Sequence, residues 1–253
     1  MAGHSKWANI KHKKGAADKK KGKVFSRIAK EIMVAARDGG GDPEANPRLR
    51  TALSAARAAN MPNVNVDRAI KKGTGEIKGE ELEELVYEGY GPGGMAVLVE
   101  CLTDNRNRGA SEVRTVFDRN GGNLAGSGAV KWMFHRKARF LVSGDAADEE
   151  KLLELLIDAG VEDVVVDGDV AEIIAPMENF EAISRALEGA DISPDEAGLA
   201  EIPENMSKVE DESDARKALR LLERLEDLDD VQAVHSNVDI PDDIMEVLSN
   251  EDA

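Results

Sequence analysis

The chain has 253 residues, of which 42% are hydrophobic and only 4% aromatic, and a formal net charge of -17. That length allows two or three small domains with aliphatic cores, and the single cysteine, Cys101, excludes an internal disulfide. No stretch approaches the ~20 apolar residues of a membrane span, and the charged N-terminus has no apolar run behind it, so a soluble cytoplasmic protein is expected.

The charge is unevenly placed. Residues 1–78 hold 18 Lys and Arg against 7 Asp and Glu, a net of +11, while the remainder nets -28. Such asymmetry predicts that one end meets a polyanion and the rest does not. The first 23 residues, "MAGHSKWANIKHKKGAADKKKGK", contain eight lysines and one aspartate. They read as a flexible basic arm, 1–23, too polar to bury a core. Trp7 lies among those lysines with nothing around it to bury it, and its ring is suited to stacking on an unpaired base. Lysines neutralise phosphates, and His4, Ser5, Asn9 and His12 can bond phosphate, ribose or base edges.

From Val24 a helical period begins: Val24, Phe25, Ile28, Ile32, Ala35 and Ala36 recur at three- and four-residue spacing. Gly39-Gly40-Gly41 ends it. Asn46-Pro47 reads as an N-cap with proline at the first helical position, and Leu49, Ala52, Leu53 and Ala56 form the buried face of a second helix closed by Asn60 and Pro62. A third short helix spans about Asn65–Lys72 and stops at Gly73. These helices predict a bundle over 24–76. Arg50, Ser54 and Arg57 share one face opposite the apolar stripe, and Arg68, Lys71 and Lys72 form a similar patch.

After the linker "GTGEIKGEE" the period changes to that of strands. "ELVYEGYGPGGMAVLVECLTD" reads as two strands around a glycine-proline turn, "RGASEVRTVFDRNGG" as a helix, and "GAVKWMF" as a strand. Next comes a βαββαβ order, the ferredoxin-like pattern: "ARFLVS", "DEEKLLELLIDAG", "EDVVVD", "VAEIIAP", "NFEAISRALEGA" and "AGLAEIP". The helix "DARKALRLLERLEDL" and the strand "VQAVHSNVDIP" complete the earlier set. The expected fold class is therefore α+β: an N-terminal three-helix domain followed by two ferredoxin-like α/β domains, the second (136–206) inserted in the first (80–135 plus 207–241), with an acidic tail at 242–253.

Catalytic chemistry finds no support. His4, His12, His135 and His235 lack metal-ligand spacing, "GYGPGG" lacks the ending of a phosphate loop, and the carboxylates are scattered over helix faces. No enzyme activity, metal or cofactor is expected. "ECLTDNRNRGASEVR" places Asp104, Asn105, Arg106, Asn107 and Arg108 between a strand end and a helix start, where backbone amides favour anions; these five form a candidate second contact. The main candidates for nucleic-acid binding are His4, Ser5, Lys6, Trp7, Asn9, Lys11, His12, Lys13, Lys14, Lys19, Lys20, Lys21, Lys23, Arg27, Arg50, Arg57, Arg68, Lys71 and Lys72.

"AGHSKWANIKHKK", "GGGDPEANPRLR", "IKKGTGE", "EGYGPGGMAVLVECLTDNRNR" and "GGNLAGSGAVKWMF" resemble the signature stretches of the YebC family. Two positions depart from its pattern. Asn63-Val64 stands where a lysine-acid pair is usual, which is expected to weaken a charge contact on the third helix. Gly109 stands where a bulkier residue is usual, which is expected to loosen the helix after "DNRNR". The resemblance implies a three-domain α/β protein with a non-enzymatic role: probable DNA-binding transcriptional regulation, translational activation as in mitochondrial relatives, or association with the ribosome. Expected partners are nucleic acid, either DNA or ribosomal RNA, and proteins of the ribosome or the transcription machinery, with no membrane; the chain is expected to be a monomer. An acidic protein-interaction scaffold is the alternative from another class.

Overall fold

Helix α1 (Asp18–Gly39) opens the computed structural model, which describes residues 18–79 and 81–251. The expected arm falls outside the described residues up to residue 17. Its last part does not stay irregular: residues 18–23 are already helical. Lysine is a good helix former, so the run "DKKKGK" adds turns to a helix whose apolar period starts only at Val24. Ile32, Val34, Ala35 and Ala36 are buried toward its C-terminal end, whereas Val24 is 39% exposed.

The turn after α1 is fixed by one side chain. Asn46 is the N-cap of α2 (Pro47–Ala58), accepting from the Leu49 amide at 3.1 Å. Its own amide donates to the carbonyls of Ala35 at 2.7 Å and Gly40 at 2.8 Å. Asn46 therefore ties the end of one helix to the start of the next, where it satisfies an orphan N–H. Helix α3 (Asn63–Gly73) lies on α1 with Ala69 buried. Gly73 permits that approach, since a Cβ there would stand 2.3 Å from the Met33 carbonyl oxygen.

The chain forms two compact units. Among the described residues, one comprises 18–81 with Arg136–Ala200, and the other comprises Leu82–His135 with 201–251. In the first, the helices are accompanied by a sheet ordered β5-β6-β4-β7, from β4 (Phe134–Ser143), β5 (Asp163–Asp167), β6 (Val170–Pro176) and β7 (Glu196–Pro203). Helices α5 (Glu149–Leu156) and α6 (Phe180–Gly189) complete the βαββαβ order. The two-residue alternation of Ala138, Phe140 and Val142 turns these side chains into a core with Leu152, Leu156, Ile173, Ile183 and Leu187. Phe140 stacks on Phe180 at 4.9 Å between ring centres.

The other unit has a sheet ordered β3-β1-β2-β9, built from β1 (Glu83–Tyr90), β2 (Ala96–Thr103), β3 (Asn123–Leu124) and β9 (Val231–Ser236). Every pairing within it is antiparallel. Helices α4 (Arg106–Arg119) and α7 (Glu212–Glu226) belong to it. Its strand order matches the inserted sheet if β1, earliest in the chain, takes the third strand's place. Short β8 (Ser207–Lys208) and β10 (Val238–Asp239) pair in parallel beside it. Residues 242–251, read from sequence as an acidic tail, form helix α8 (Asp242–Glu251), where Leu248 is buried.

Two sequence expectations change here. "GAVKWMF" is not a strand: Lys131–Met133 form one turn of 3-10 helix, and β4 begins only at Phe134. The reason is Glu88, whose buried carboxylate accepts the backbone N–H groups of Gly128, Val130 and Lys131 at 2.6, 2.7 and 2.8 Å. Those amides are no longer available to a sheet ladder. The start of α4 is also intact despite Gly109: Asn105 caps it by accepting from the Arg108 amide at 3.1 Å. A Cβ at Gly109 would meet the Tyr87 hydroxyl at 3.6 Å and Thr103 at 3.7 Å, ordinary contacts. Gly109→Ala is accordingly expected to stabilise the protein by about 0.5 kcal/mol, through loss of chain entropy in the unfolded state. A urea titration should show a higher midpoint at unchanged slope; a lower midpoint would mean the site is tighter than these distances indicate.

Candidate nucleic-acid interface

Helix α3 gathers three of the expected cations. Arg68, Lys71 and Lys72 stand at i, i+3 and i+4, so they are neighbours on one helical surface, which borders buried Ala69 on the side of Lys72. Arg68 and Lys71 are exposed and Lys72 is half-buried. Val64 precedes Arg68 by one turn on the same side and is 67% exposed. The departure at Asn63-Val64 thus sets an apolar group one turn before the cations of this face. Arg57, on α2, is exposed as well.

Arg50 is differently placed. Its Nε donates to Glu181 Oε1 at 3.0 Å, and its Nη1 donates to the carbonyls of Pro43 at 2.8 Å and Glu44 at 3.1 Å. An incoming phosphate would have to displace a carboxylate and two carbonyls from it. Ser54, expected beside it, donates its hydroxyl to the Arg50 carbonyl at 3.1 Å. Lys23 and Arg27 are half-buried on α1, and Lys19, Lys20 and Lys21 fall within the same helix. His4, Ser5, Lys6, Trp7, Asn9, Lys11, His12, Lys13 and Lys14 lie outside the described residues.

The junction between β2 and α4 is tied together rather than open. Arg108 Nη2 donates to Asp104 Oδ1 and to Asp230 Oδ2, both at 2.7 Å. Asp230 is 5% exposed and also accepts from the Thr103 hydroxyl at 2.8 Å. The hydrogen bonds to Asp230 and Asp104 hold the Arg108 guanidinium well above its ordinary pKa. Of the five candidates here, Asp104, Asn105 and Arg108 hold the loop, and Arg106 and Asn107 remain as exposed side chains. Asp230 and Glu181 were not singled out from sequence. Each is one aspartate or glutamate among 50, more than a hundred residues from its arginine, and no local pattern marks it. Among the described residues no helix is long and apolar enough to cross a membrane.

Two family profiles match the chain: "TACO1/YebC protein N-terminal domain" over residues 5–76, and "TACO1/YebC second and third domain" over residues 82–238. The chain belongs to the TACO1/YebC family. Relatives named "Probable transcriptional regulatory protein" occur in Syntrophobacter fumaroxidans, 53% identical over 97% of this chain and 99% of that one, and in Halothermothrix orenii, 52% identical over 99% and 100%. A crystal structure of a conserved hypothetical protein from Aquifex aeolicus matches with a TM-score of 0.82 and 47% identity, covering 88% of this chain and 92% of that one. The TACO1/YebC profiles together take in the cationic face of α3, the Arg108–Asp230 junction and the Glu88 loop. The matches support an α+β regulatory protein, the expected fold class.

Proposed function

We propose that this chain is a non-enzymatic, nucleic-acid-binding regulator of gene expression, acting on DNA as a transcriptional regulator. One observation carries the proposal: in a chain of net charge -17, the first 78 residues hold a net +11. Exposed Arg57, Arg68 and Lys71 belong to that stretch. The names borne by the relatives supply the transcriptional part. A second reading, a translation factor binding ribosomal RNA, draws on Trp7, because an indole among lysines suits unpaired bases, which an intact duplex seldom offers.

The test compares the full chain with one beginning at Asp18, titrated against random duplex DNA and against ribosomal RNA over a salt series. The shortened chain lacks Lys6, Lys11, Lys13 and Lys14 and keeps every described turn of α1. The slope of log affinity against log salt should flatten by about 3, at ~0.7–0.9 for each phosphate no longer neutralised. Melting temperature should not move. Stronger binding of duplex DNA by the full chain upholds the transcriptional reading, and stronger binding of ribosomal RNA the translational one. Equal binding by both chains would remove the arm from the interface, and no binding by either would leave the acidic scaffold.

A further inference from the structure

Of the chain's two tryptophans, Trp132 is the one among the described residues, and it is 66% exposed. The loop that carries it is unusually constrained. The Glu88 carboxylate, on β1, holds three stations of that loop through the amides of Gly128, Val130 and Lys131. The Ala129 carbonyl accepts the Tyr90 hydroxyl at 3.1 Å and the Trp132 Nε1–H at 3.1 Å. Val130 is fully buried beneath, with Ala96, Leu98 and Phe134. The indole N–H is thereby turned inward, and the ring offers the solvent its faces and edge rather than its one polar group.

The surroundings of that ring are small and polar. Gly126, Ser127, Gly128 and Lys131 are exposed, and no other large hydrophobic side chain of residues 125–135 is. A Cβ on Gly126 or Gly128 would meet nothing within 4 Å, so the space over the loop is open. An anchor for a protein partner sits amid further apolar surface, which this loop does not present. A flat aromatic group standing alone on a rigid support suits a flat partner, and Lys131 is drawn into an ion pair with buried Glu201. The charge next to the ring in the chain is thus already engaged within the protein.

We propose that Trp132 is a stacking platform for an unpaired nucleobase, and that Glu88 is the residue positioning it. This rests on the nucleic-acid reading above and adds to it a second, charge-independent contact on the other unit of the chain. A rigid platform loses little freedom on binding, which is what the three amide bonds to Glu88 secure.

The full chain carrying Trp7→Phe has Trp132 as its sole indole and reports on the site by fluorescence. The probes are an oligothymidylate and an abasic oligomer of the same length. Oligothymidylate should quench the emission, and the abasic oligomer should bind without quenching. Trp132→Ala should weaken oligothymidylate binding about tenfold to a hundredfold, by the same factor at low and high salt, and leave abasic binding alone. Trp132→Phe should restore most of the loss, which also keeps the test open if the alanine variant folds poorly. Glu88→Gln should weaken oligothymidylate binding without affecting the abasic oligomer. Unquenched emission in a formed complex, or equal losses on both oligomers, overturns the platform. Binding of both oligomers with Trp132→Ala silent overturns it too and leaves the ring to a protein partner, while the nucleic-acid reading stands. A full chain that binds neither oligomer, duplex DNA nor ribosomal RNA overturns both.

Discussion

Asn46→Ala is expected to destabilise the protein by about 3 kcal/mol: about 1 for the lost N-cap and about 1 for each of two abandoned carbonyl acceptors. Asn46 is 4% exposed, so water does not readily replace the missing partners. The Ala35 carbonyl lies just before the last four carbonyls of α1, and the Gly40 carbonyl lies just beyond the helix. The Asn46 amide donates to the first at 2.7 Å and to the second at 2.8 Å. The informative comparison is Asn46→Asp. Aspartate caps a helix as well as asparagine does, and it keeps an oxygen for the Leu49 amide. It has no N–H for Ala35 or Gly40, and its charge would face their carbonyl oxygens. Urea unfolding should therefore find Asn46→Asp nearly as unstable as Asn46→Ala. A stable aspartate variant would reduce Asn46 to a cap and nothing more.

That residue also marks where the sequence was legible. The cap itself is readable, because asparagine before proline at a helix start is local chemistry. The helix stop at Gly39-Gly40-Gly41 and the βαββαβ order are readable for the same reason: each is written in spacing over a few neighbours. The bonds from Asn46 back to α1 are not, since they depend on where the preceding helix comes to lie. Arginine partners fare worse. Arg50 and Arg108 share a basic look with Arg57 and Arg68, and only the folded chain separates them, through Glu181 and Asp230. Charged residues carry no period that reports their partners. The misread segment, "GAVKWMF", has enough apolar residues for a strand. Its amides are claimed by a carboxylate about forty residues upstream. Glu88 itself sits on a strand as one acidic residue in "ELVYEGY", indistinguishable in pattern from solvent-facing Glu84.

Removing the Glu88 charge is expected to cost about 3 kcal/mol, since hydrogen bonds to an ionised group are worth ~1.5–3 kcal/mol each and three at one site do not add fully. In Glu88→Gln one oxygen remains as an acceptor, and the new NH2 group faces donors, so at least one buried amide is left without a partner. The pH dependence identifies the mechanism. Burial alone would raise the Glu88 pKa, but the amides of Gly128, Val130 and Lys131, with the nearby Lys131 charge, outweigh it and hold the carboxyl below its ordinary 4.5. A group whose pKa is lower folded than unfolded binds protons preferentially when unfolded. Its stabilisation is complete above the unfolded value and is lost as pH falls through the folded one. The stability difference between wild type and Glu88→Gln should therefore be flat from neutral pH down to about 5 and shrink below about 4.5. Working with the difference cancels the other carboxylates, which titrate alike in both proteins. With Trp7→Phe in place, Trp132 emission should change only as pH falls through the lowered folded pKa of Glu88, because the loop that carries it is released as Glu88 takes up its proton. A difference that stays constant down to about pH 3, or grows there, would show that the carboxylate charge is not what holds the loop.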